Sequence, residues 1–279
     1  MKKLISLALA FMMCILSVSL FACSNKPEPN PVTDFEYAYS EEYGGIAITK
    51  YIGTSKSIVF PEEIDGKPVK IIGRYLLEKA SLIESVVISD TVEVIVDSAF
   101  GFCTNLVSVD FGKGVREIGY EAFRECKALK KIILPPKLET IGAGAFYGCA
   151  SAEEIFIPKT LKNWKTDLSW VFFGECDSLK TLTFEEGIET IGNYGAFTST
   201  TLEKVVFPSS LKQLDHTAFN QCPSLKTVVF LGDAPEVGSG YVFGLYEVPE
   251  NLTIYYNPTT KGWDETPLKY YTLEPLPQN

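Results

Sequence analysis

The repeat that decides the fold begins with ESVVISDTVEVIVDSAFGFCTNL at residues 84–106 and continues with VSVDFGKGVREIGYEAFRECKAL at 107–129 and KKIILPPKLETIGAGAFYGCASA at 130–152. Four more units follow, of which the first is lengthened to 27 residues and the last is degenerate. One phenylalanine marks each unit, at Phe100, Phe123, Phe146, Phe173, Phe197, Phe219 and Phe243. A fixed period of this length indicates a solenoid, in which each short unit stacks on the next.

Each unit opens with a short stretch of alternating side chains, which predicts a β-strand with one face turned inward. Two columns face the core: Val86, Val109, Ile132, Ile155, Leu182, Val205 and Val228, and two residues later Ile88, Phe111, Leu134, Ile157, Phe184, Phe207 and Phe230. A second short extended piece ends at Ile95, Ile118, Ile141, Ile191 or Leu214. The Ala-Phe-x-x-Cys segment that follows suits one turn of helix or 3-10 helix. Stacked units of this kind predict a curved parallel sheet.

The second unit, Ile118-Gly119-Tyr120-Glu121-Ala122-Phe123 followed by Cys126 and Leu129, resembles the bacterial surface leucine-rich repeat proteins of the BspA-like subtype. The resemblance covers roughly Ile83 to Tyr256. It implies a leucine-rich repeat solenoid with a curved parallel β-sheet, short helical or 3-10 turns on the outer side and a cap at each end. It also implies a cell-surface adhesion or interaction module without shared catalytic residues.

The N-terminus has the features of a secretory signal peptide over residues 1–22, because two lysines precede a long apolar run that ends at the small residue Ala22. Leu20-Phe21-Ala22-Cys23 resembles the lipobox of bacterial lipoproteins, which implies an acyl anchor on Cys23. Ordinary cleavage after Ala22 and an uncleaved anchor are the alternatives. Residues 23–34 contain SNKPEPNPVT, whose prolines favour an extended tether.

The body then divides into three parts. Residues 35–82 are predicted to form an N-terminal cap, a hairpin around Gly44-Gly45, and a first imperfect coil. Residues 83–252 form the repeat array, and residues 253–279 are predicted to close its C-terminal end. Such caps are expected because an open solenoid exposes sheet edges.

Composition argues against catalysis and against nucleic acid as a partner. The chain has 25 basic and 35 acidic residues, a net charge of −10, and one histidine, His216. Nucleic-acid binding needs a dense basic face, and most triad and metal chemistry needs histidine. Cys103, Cys126, Cys149, Cys176 and Cys222 recur with the coil, which favours buried structural thiols over one or two disulfides between adjacent coils. We therefore expect no enzyme activity, no cofactor and no metal.

The candidate binding surface is the outward column between the two inward ones. It consists of Val87, Asp110, Ile133, Phe156, Thr183, Val206 and Val229. A polar column runs beside it, and an apolar stripe with a polar border is typical of a contact surface. The alternative is plain strand propensity, although propensity explains Phe156 least. Trp164 and Trp170 in the lengthened unit are a secondary candidate, for which simple packing is the alternative.

The sequence thus predicts an exported, membrane-anchored lipoprotein of the bacterial cell surface. It would bind a protein or glycan through its solenoid, contact the membrane only through the lipid, and be monomeric. The alternatives are a structural or assembly component of the cell envelope and a non-catalytic accessory subunit of a glycan-processing system.

Overall fold

The computed structural model describes residues 27–76, 80–161, 163–165, 172–192, 201–215, 218–219, 222–238, 242–243 and 251–277. These residues form a parallel β-solenoid of about eight turns, so the predicted fold class is confirmed. The described part contains three 3-10 helices and no α-helix: η1 (Val32–Asp34), η2 (Ala80–Leu82) and η3 (Pro267–Tyr270).

The first strands of successive coils form the front of the solenoid. In stacking order they are β3 (Ser57–Val59), β6 (Ser85–Val87), β8 (Ser108–Asp110), β10 (Lys131–Ile133), β12 (Glu154–Ile157), β14 (Thr181–Phe184), β16 (Lys204–Phe207), β18 (Thr227–Phe230), β20 (Thr253–Tyr256) and β21 (Thr272–Pro275). They are hydrogen-bonded as two groups, β3 to β8 and β10 to β21. We call this surface the front sheet.

The second strands form a side sheet, also in two groups. The first contains β1 (Phe35–Ser40), β2 (Gly45–Tyr51), β5 (Lys67–Ile72), β7 (Val94–Ile95), β9 (Glu117–Ile118), β11 (Thr140–Gly142) and β13 (Asn163–Lys165), with β4 (Glu63–Ile64) paired to β5. The second contains β15 (Thr190–Ile191), β17 (Gln213–Leu214) and β19 (Glu236–Val237). Ile95 pairs with Ile118, and Ile118 with Ile141, so the predicted second extended piece is confirmed.

The repeating phenylalanines stack through the core. The ring centroids of Phe100 and Phe123 are 5.0 Å apart, those of Phe123 and Phe146 are 5.2 Å apart, and those of Phe146 and Phe173 are 5.6 Å apart. The rings lie within 14° of parallel in all three pairs, and the four side chains are fully buried. A single coil cannot bury such a ring, so each coil depends on its neighbours for its core.

The turns around these phenylalanines differ from the predicted helical or 3-10 turn. Residues two before and two after Phe100, Phe123 and Phe146 have positive φ: Ser98 (54°), Phe102 (62°), Glu121 (53°), Glu125 (59°), Gly144 (66°) and Gly148 (73°). These left-handed residues interrupt any helix. The segments are hydrogen-bonded turns instead.

The left-handed residues also redirect the backbone hydrogen bonds of the turn. The N–H groups of Ser98, Phe100 and Phe102 donate to the next coil, whereas the intervening N–H groups donate three residues back. The distances to the next coil are 2.7–2.8 Å. The turn side is therefore a third ladder that joins neighbouring coils, and it satisfies backbone groups that would otherwise be buried without partners.

The five column cysteines are thiols rather than disulfides, and all five are buried. The Cys126 Sγ–H donates to the Phe100 carbonyl (3.3 Å), and the Cys149 Sγ–H donates to the Phe123 carbonyl (3.4 Å). Burial raises the pKa of Cys126 and of Cys149 well above the ordinary value. The thiols thus fill a tight corner as small, weakly donating side chains.

Both ends of the stack carry extra structure. At the N-terminal end β1 pairs antiparallel with β2, as expected for the hairpin, and β2 runs parallel to β5. At the C-terminal end Trp263 stacks on Tyr256, with ring centroids 4.9 Å apart. Within the predicted closing region, residues 253–279, the structure has two parallel strands, β20 and β21.

Charged side chains of opposite sign alternate between neighbouring coils beside each sheet. The ion pairs next to the side sheet are Lys70 with Glu93 (2.5 Å), Arg116 with Glu139 (2.7 Å) and Lys212 with Glu189 (2.7 Å). Those next to the front sheet include Lys180 with Glu153 (3.8 Å) and Lys226 with Glu203 (3.1 Å). Each exposed pair contributes little, about 0–1 kcal/mol. Their alternation nevertheless disfavours any mispairing that brings like charges together.

Candidate interaction surface

The predicted outward column lies on the front sheet as two paired runs, one on each side of the break between β8 and β10. Ile133 pairs with Phe156, Phe156 with Thr183, and Thr183 with Val206, each in the neighbouring coil. Val206 pairs in turn with Val229, while Val87 pairs with Asp110 on the N-terminal side. Val87 and Asp110 thus share one register position, and the five residues from Ile133 to Val229 share another run of the same kind. We call the seven residues the stripe.

Two residues at the ends of the stripe were missed. Val59 precedes Val87 in the same register position, and Tyr255 follows Val229. Tyr255 lies in the region that was predicted to close the C-terminal end. Aligning its strand with β18 would have shown that Tyr255 occupies the position after Val229. Glu274 on β21 follows Tyr255 in register. Burial, Glu274 and a hydrogen bond to it raise the pKa of Tyr255.

The stripe is not uniformly open to solvent. Asp110 is exposed, Ile133 is 44% exposed, and Phe156 is half-buried. Val229, in contrast, is buried at 8% exposure. Asp110, Ile133 and Phe156 are therefore the most accessible consecutive part of the stripe, and we call them the open segment.

Polar and apolar side chains border the open segment. Ser108 is exposed in the adjacent column, and in the same column Lys131 Nζ lies 3.0 Å from Glu154 Oε2. Val107, 42% exposed, lies just before β8 and was not singled out from the sequence. A surface that combines Val107, Ile133 and the Phe156 ring with a bordering ion pair can make apolar contacts and directional polar contacts together.

The front sheet is interrupted beside the open segment. Asp110 ends β8 and Ile133 ends β10, yet these strands belong to separate hydrogen-bonded groups among the described residues. At the position just before β8 and β10, the Lys130 N–H donates a hydrogen bond to the Val107 carbonyl (3.4 Å). The side sheet continues unbroken there, through β7, β9 and β11. The interruption coincides with the most exposed part of the stripe.

Other predicted positions fall partly or wholly outside the described residues. Trp164 lies on β13 and pairs with Ile141, as expected from its place in the repeat, but its side chain is not described. Trp170, His216 and Cys23 lie outside the described residues. The structure therefore brings together the stripe and leaves the tryptophan pair and the lipidation site as predictions.

Two further observations concern chemistry and the membrane. Within the described ranges no three His, Cys, Asp or Glu side chains are grouped so that they could hold a metal ion. In the same part of the chain none of the helices is long and apolar enough to span a bilayer.

The family assignment comes from comparison with known proteins. The model for the BspA type leucine-rich repeat region matches six copies, over residues 70–194 and 166–247, which together are more than half of the chain. No curated protein matches.

Similar solved structures come from several bacteria. A leucine-rich repeat protein of Treponema pallidum, TpLRR, has 26% identity, covers 71% of this chain and 91% of its own, and superposes with a TM-score of 0.61. A leucine-rich repeat protein from Bacteroides ovatus has 18% identity over 90% of this chain and 77% of its own, with a TM-score of 0.46. The pneumococcal vaccine antigen PcpA has 15% identity over 88% of this chain and 97% of its own, with a TM-score of 0.34. The six family repeats and the stacked coils agree, and the chain belongs to the BspA type leucine-rich repeat family.

Proposed function

We propose that this protein is a lipid-anchored binding protein of the bacterial cell surface, and that it contacts a protein or glycan through the stripe. Leucine-rich repeat proteins generally present a surface for macromolecular interaction and are typically non-catalytic. The observation that carries the proposal is the open segment, where Ile133 and Phe156 remain accessible beside Asp110. Apolar side chains left open to water in a polar border favour a partner that covers them.

The Phe156 ring is the central anchor of this interaction. It lies between Ile133 and Thr183 in the stripe, and it is the largest side chain of the open segment. Aromatic residues at the centre of an interface commonly contribute most of the binding free energy, whereas residues at the rim contribute little. A bound partner would also cover the interrupted edge between β8 and β10.

A pull-down and a glycan-array screen with the purified protein test this function. The matched variant is Ile133→Asp, which places a charge on an exposed position of the stripe and leaves the core unchanged. We expect a partner that binds the parent and not this variant, with equal melting temperatures for both. A partner that binds the two proteins equally well would place its site elsewhere on the molecule.

The lipid anchor is tested separately. Cys23→Ser removes the thiol that an acyl transfer would modify. Expressed in the native host, this variant should leave the membrane fraction and lose incorporation of labelled fatty acid. An unchanged membrane fraction together with unchanged labelling would contradict the lipoprotein assignment.

A further inference from the structure

The described strands give the solenoid four terminal sheet edges, and three of them are obstructed. At the start of the front sheet, Asn30 donates its N–H to the Val59 carbonyl (2.9 Å) and accepts the Val59 N–H on Oδ1 (2.8 Å). At its end, β21 carries Glu274 and Pro275, and proline has no N–H to donate. At the end of the side sheet, β19 is only two residues long. Charges, prolines and short strands are ways in which proteins block sheet edges.

The fourth edge is β1, whose outer side carries no other strand of the described part of the chain. β1 is six residues long, Phe35–Ser40, and four of those residues are exposed. Among the described residues it pairs only with β2. In an antiparallel pair every second residue directs its N–H and C=O away from the partner strand, so part of the β1 backbone faces outward. A bulge between Glu36 and Tyr37 leaves Tyr37–Ser40 as the regular part of this edge.

The charge around this edge is acidic. Residues 27–49 contain Glu28, Asp34, Glu36, Glu41 and Glu42 and no lysine or arginine. Many acidic residues of the coils pair with a base in the neighbouring coil, but no ion pair to another described residue is formed by Glu36, Glu41 or Glu42. Lys50 of β2 lies opposite Glu36 in register and is the nearest base along the hairpin. The edge therefore favours a cationic partner.

Two tyrosines lie on β1 beside the acidic residues. Tyr37 and Tyr39 are 36% and 43% exposed. Lys67 Nζ already lies 3.9 Å from the centroid of the Tyr39 ring, so a base of this chain occupies one face of that ring, and the acidic side chains rather than Tyr39 carry the preference for a cationic partner. The Tyr37 hydroxyl donates to Asp65 Oδ2 (2.9 Å), so the ring orientation is fixed.

We infer that β1 is a second interaction surface, at which an extended, lysine- or arginine-rich segment of a protein partner adds as a further antiparallel strand. Backbone hydrogen bonds to Tyr37–Ser40 would align the partner segment along β1, and the acidic side chains would favour a positively charged segment. Two copies of this chain paired through β1 would bring like charges together, which disfavours a dimer. The inference does not rest on the stripe, because β1 belongs to the side sheet.

A synthetic peptide tests this surface on the full chain. The probe is fluorescein-labelled, amidated KTKTKTKT, whose binding is measured by anisotropy in buffer of about 20 mM ionic strength, where screening is weak. We expect saturable binding, and hydrogen-exchange protection confined to residues 36–40. No binding, or protection elsewhere on the chain, would overturn the inference.

Charge and backbone contributions can then be separated. Glu36→Gln/Glu41→Gln/Glu42→Gln should weaken binding about tenfold, whereas the control Asp264→Asn/Glu265→Gln, two exposed acids at the other end of the stack, should not. Two further peptides are methylated on the backbone nitrogen of every lysine or of every threonine, which removes N–H donors and keeps the charge. At least one of them should bind about tenfold more weakly than the parent peptide. Equal binding of both methylated peptides would mean attraction without strand pairing. A concentration-dependent dimer that the peptide dissociates would identify a second copy as the occupant, and it too would overturn the inference.

Discussion

Replacing Phe146 tests how strongly neighbouring coils depend on one another. Its ring is fully buried and stacks on Phe123 at 5.2 Å and on Phe173 at 5.6 Å. Phe146→Ala should cost about 3–5 kcal/mol, as other large core truncations do. Phe146→Leu keeps most of the apolar volume and removes the two stacked contacts, each worth about 0.5–1.5 kcal/mol, so we expect a loss of about 1–3 kcal/mol.

Urea unfolding followed by circular dichroism measures both variants. Phe102→Leu is the control, because Phe102 lies in the same turn of another coil but is 58% exposed, and it should cost less than about 0.5 kcal/mol. The double variant Phe123→Leu/Phe146→Leu should show a coupling free energy of about 0.5–1.5 kcal/mol. A Phe146→Leu protein as stable as the Phe102→Leu control, with no coupling to Phe123, would refute the stacked core.

Three further results are expected. Gly148→Ala should lower the free energy of unfolding by about 1 kcal/mol, because φ of Gly148 is +73°. Glu125→Gly, at φ +59° in the preceding coil, should not lower the melting temperature. Thermal unfolding measures both variants. In the native protein at pH 8 the five column thiols should resist alkylation, because all five are buried away from the reagent and burial also raises the pKa of Cys126, Cys149 and Cys176. All five should react after unfolding in intact-mass measurements, and five fast-reacting native thiols would contradict the buried column. Glu139→Lys should cost about 0.5 kcal/mol in urea unfolding, and adding Arg116→Glu should restore most of it; a loss that the second change does not reduce would argue against pairing between these coils.

The parts of the fold that could be predicted follow from side-chain periodicity. Strand alternation fixes which residues face inward, so the register of Ile133 with Phe156 follows once the 23-residue period is found. The second strands follow from the same period, and Trp164 occupies the predicted place of an isoleucine beside Ile141.

The parts that could not be predicted depend on backbone conformation rather than on apolar pattern. Among the described turns around Phe100, Phe123 and Phe146, only the last has glycines at both left-handed positions, Gly144 and Gly148. The other two turns have serine, phenylalanine or glutamate there, so they carry no sequence signal for positive φ. The strand β21 reads TLEP, which has one apolar residue between polar ones and a terminal proline, and it gives no alternation to detect. The hydrogen bond from the Val59 N–H to Asn30 Oδ1 joins residues that are distant in sequence, so no local sequence pattern predicts it.

Strand alternation predicts the register of the stripe residues within each paired run, but not their accessibility. Alternation placed Val229 and Ile133 on the same outward column, yet the first is buried and the second is open. Val229 has a register neighbour on each side, Val206 and Tyr255, whereas Ile133 lies on the end strand β10 beside the interruption. A single unit encodes neither arrangement.

The affinity of a Phe156→Ala variant for an identified ligand tests the central claim most directly. Lys180→Ala is the control, because Lys180 is exposed, lies outside the stripe and forms only a 3.8 Å pair with Glu153. Isothermal titration calorimetry should show that Phe156→Ala loses about 2 kcal/mol of binding free energy, near thirtyfold in Kd, with little change in melting temperature. Lys180→Ala should bind like the parent. Equal Kd values for Phe156→Ala and the parent would contradict the claim that the stripe is the binding surface.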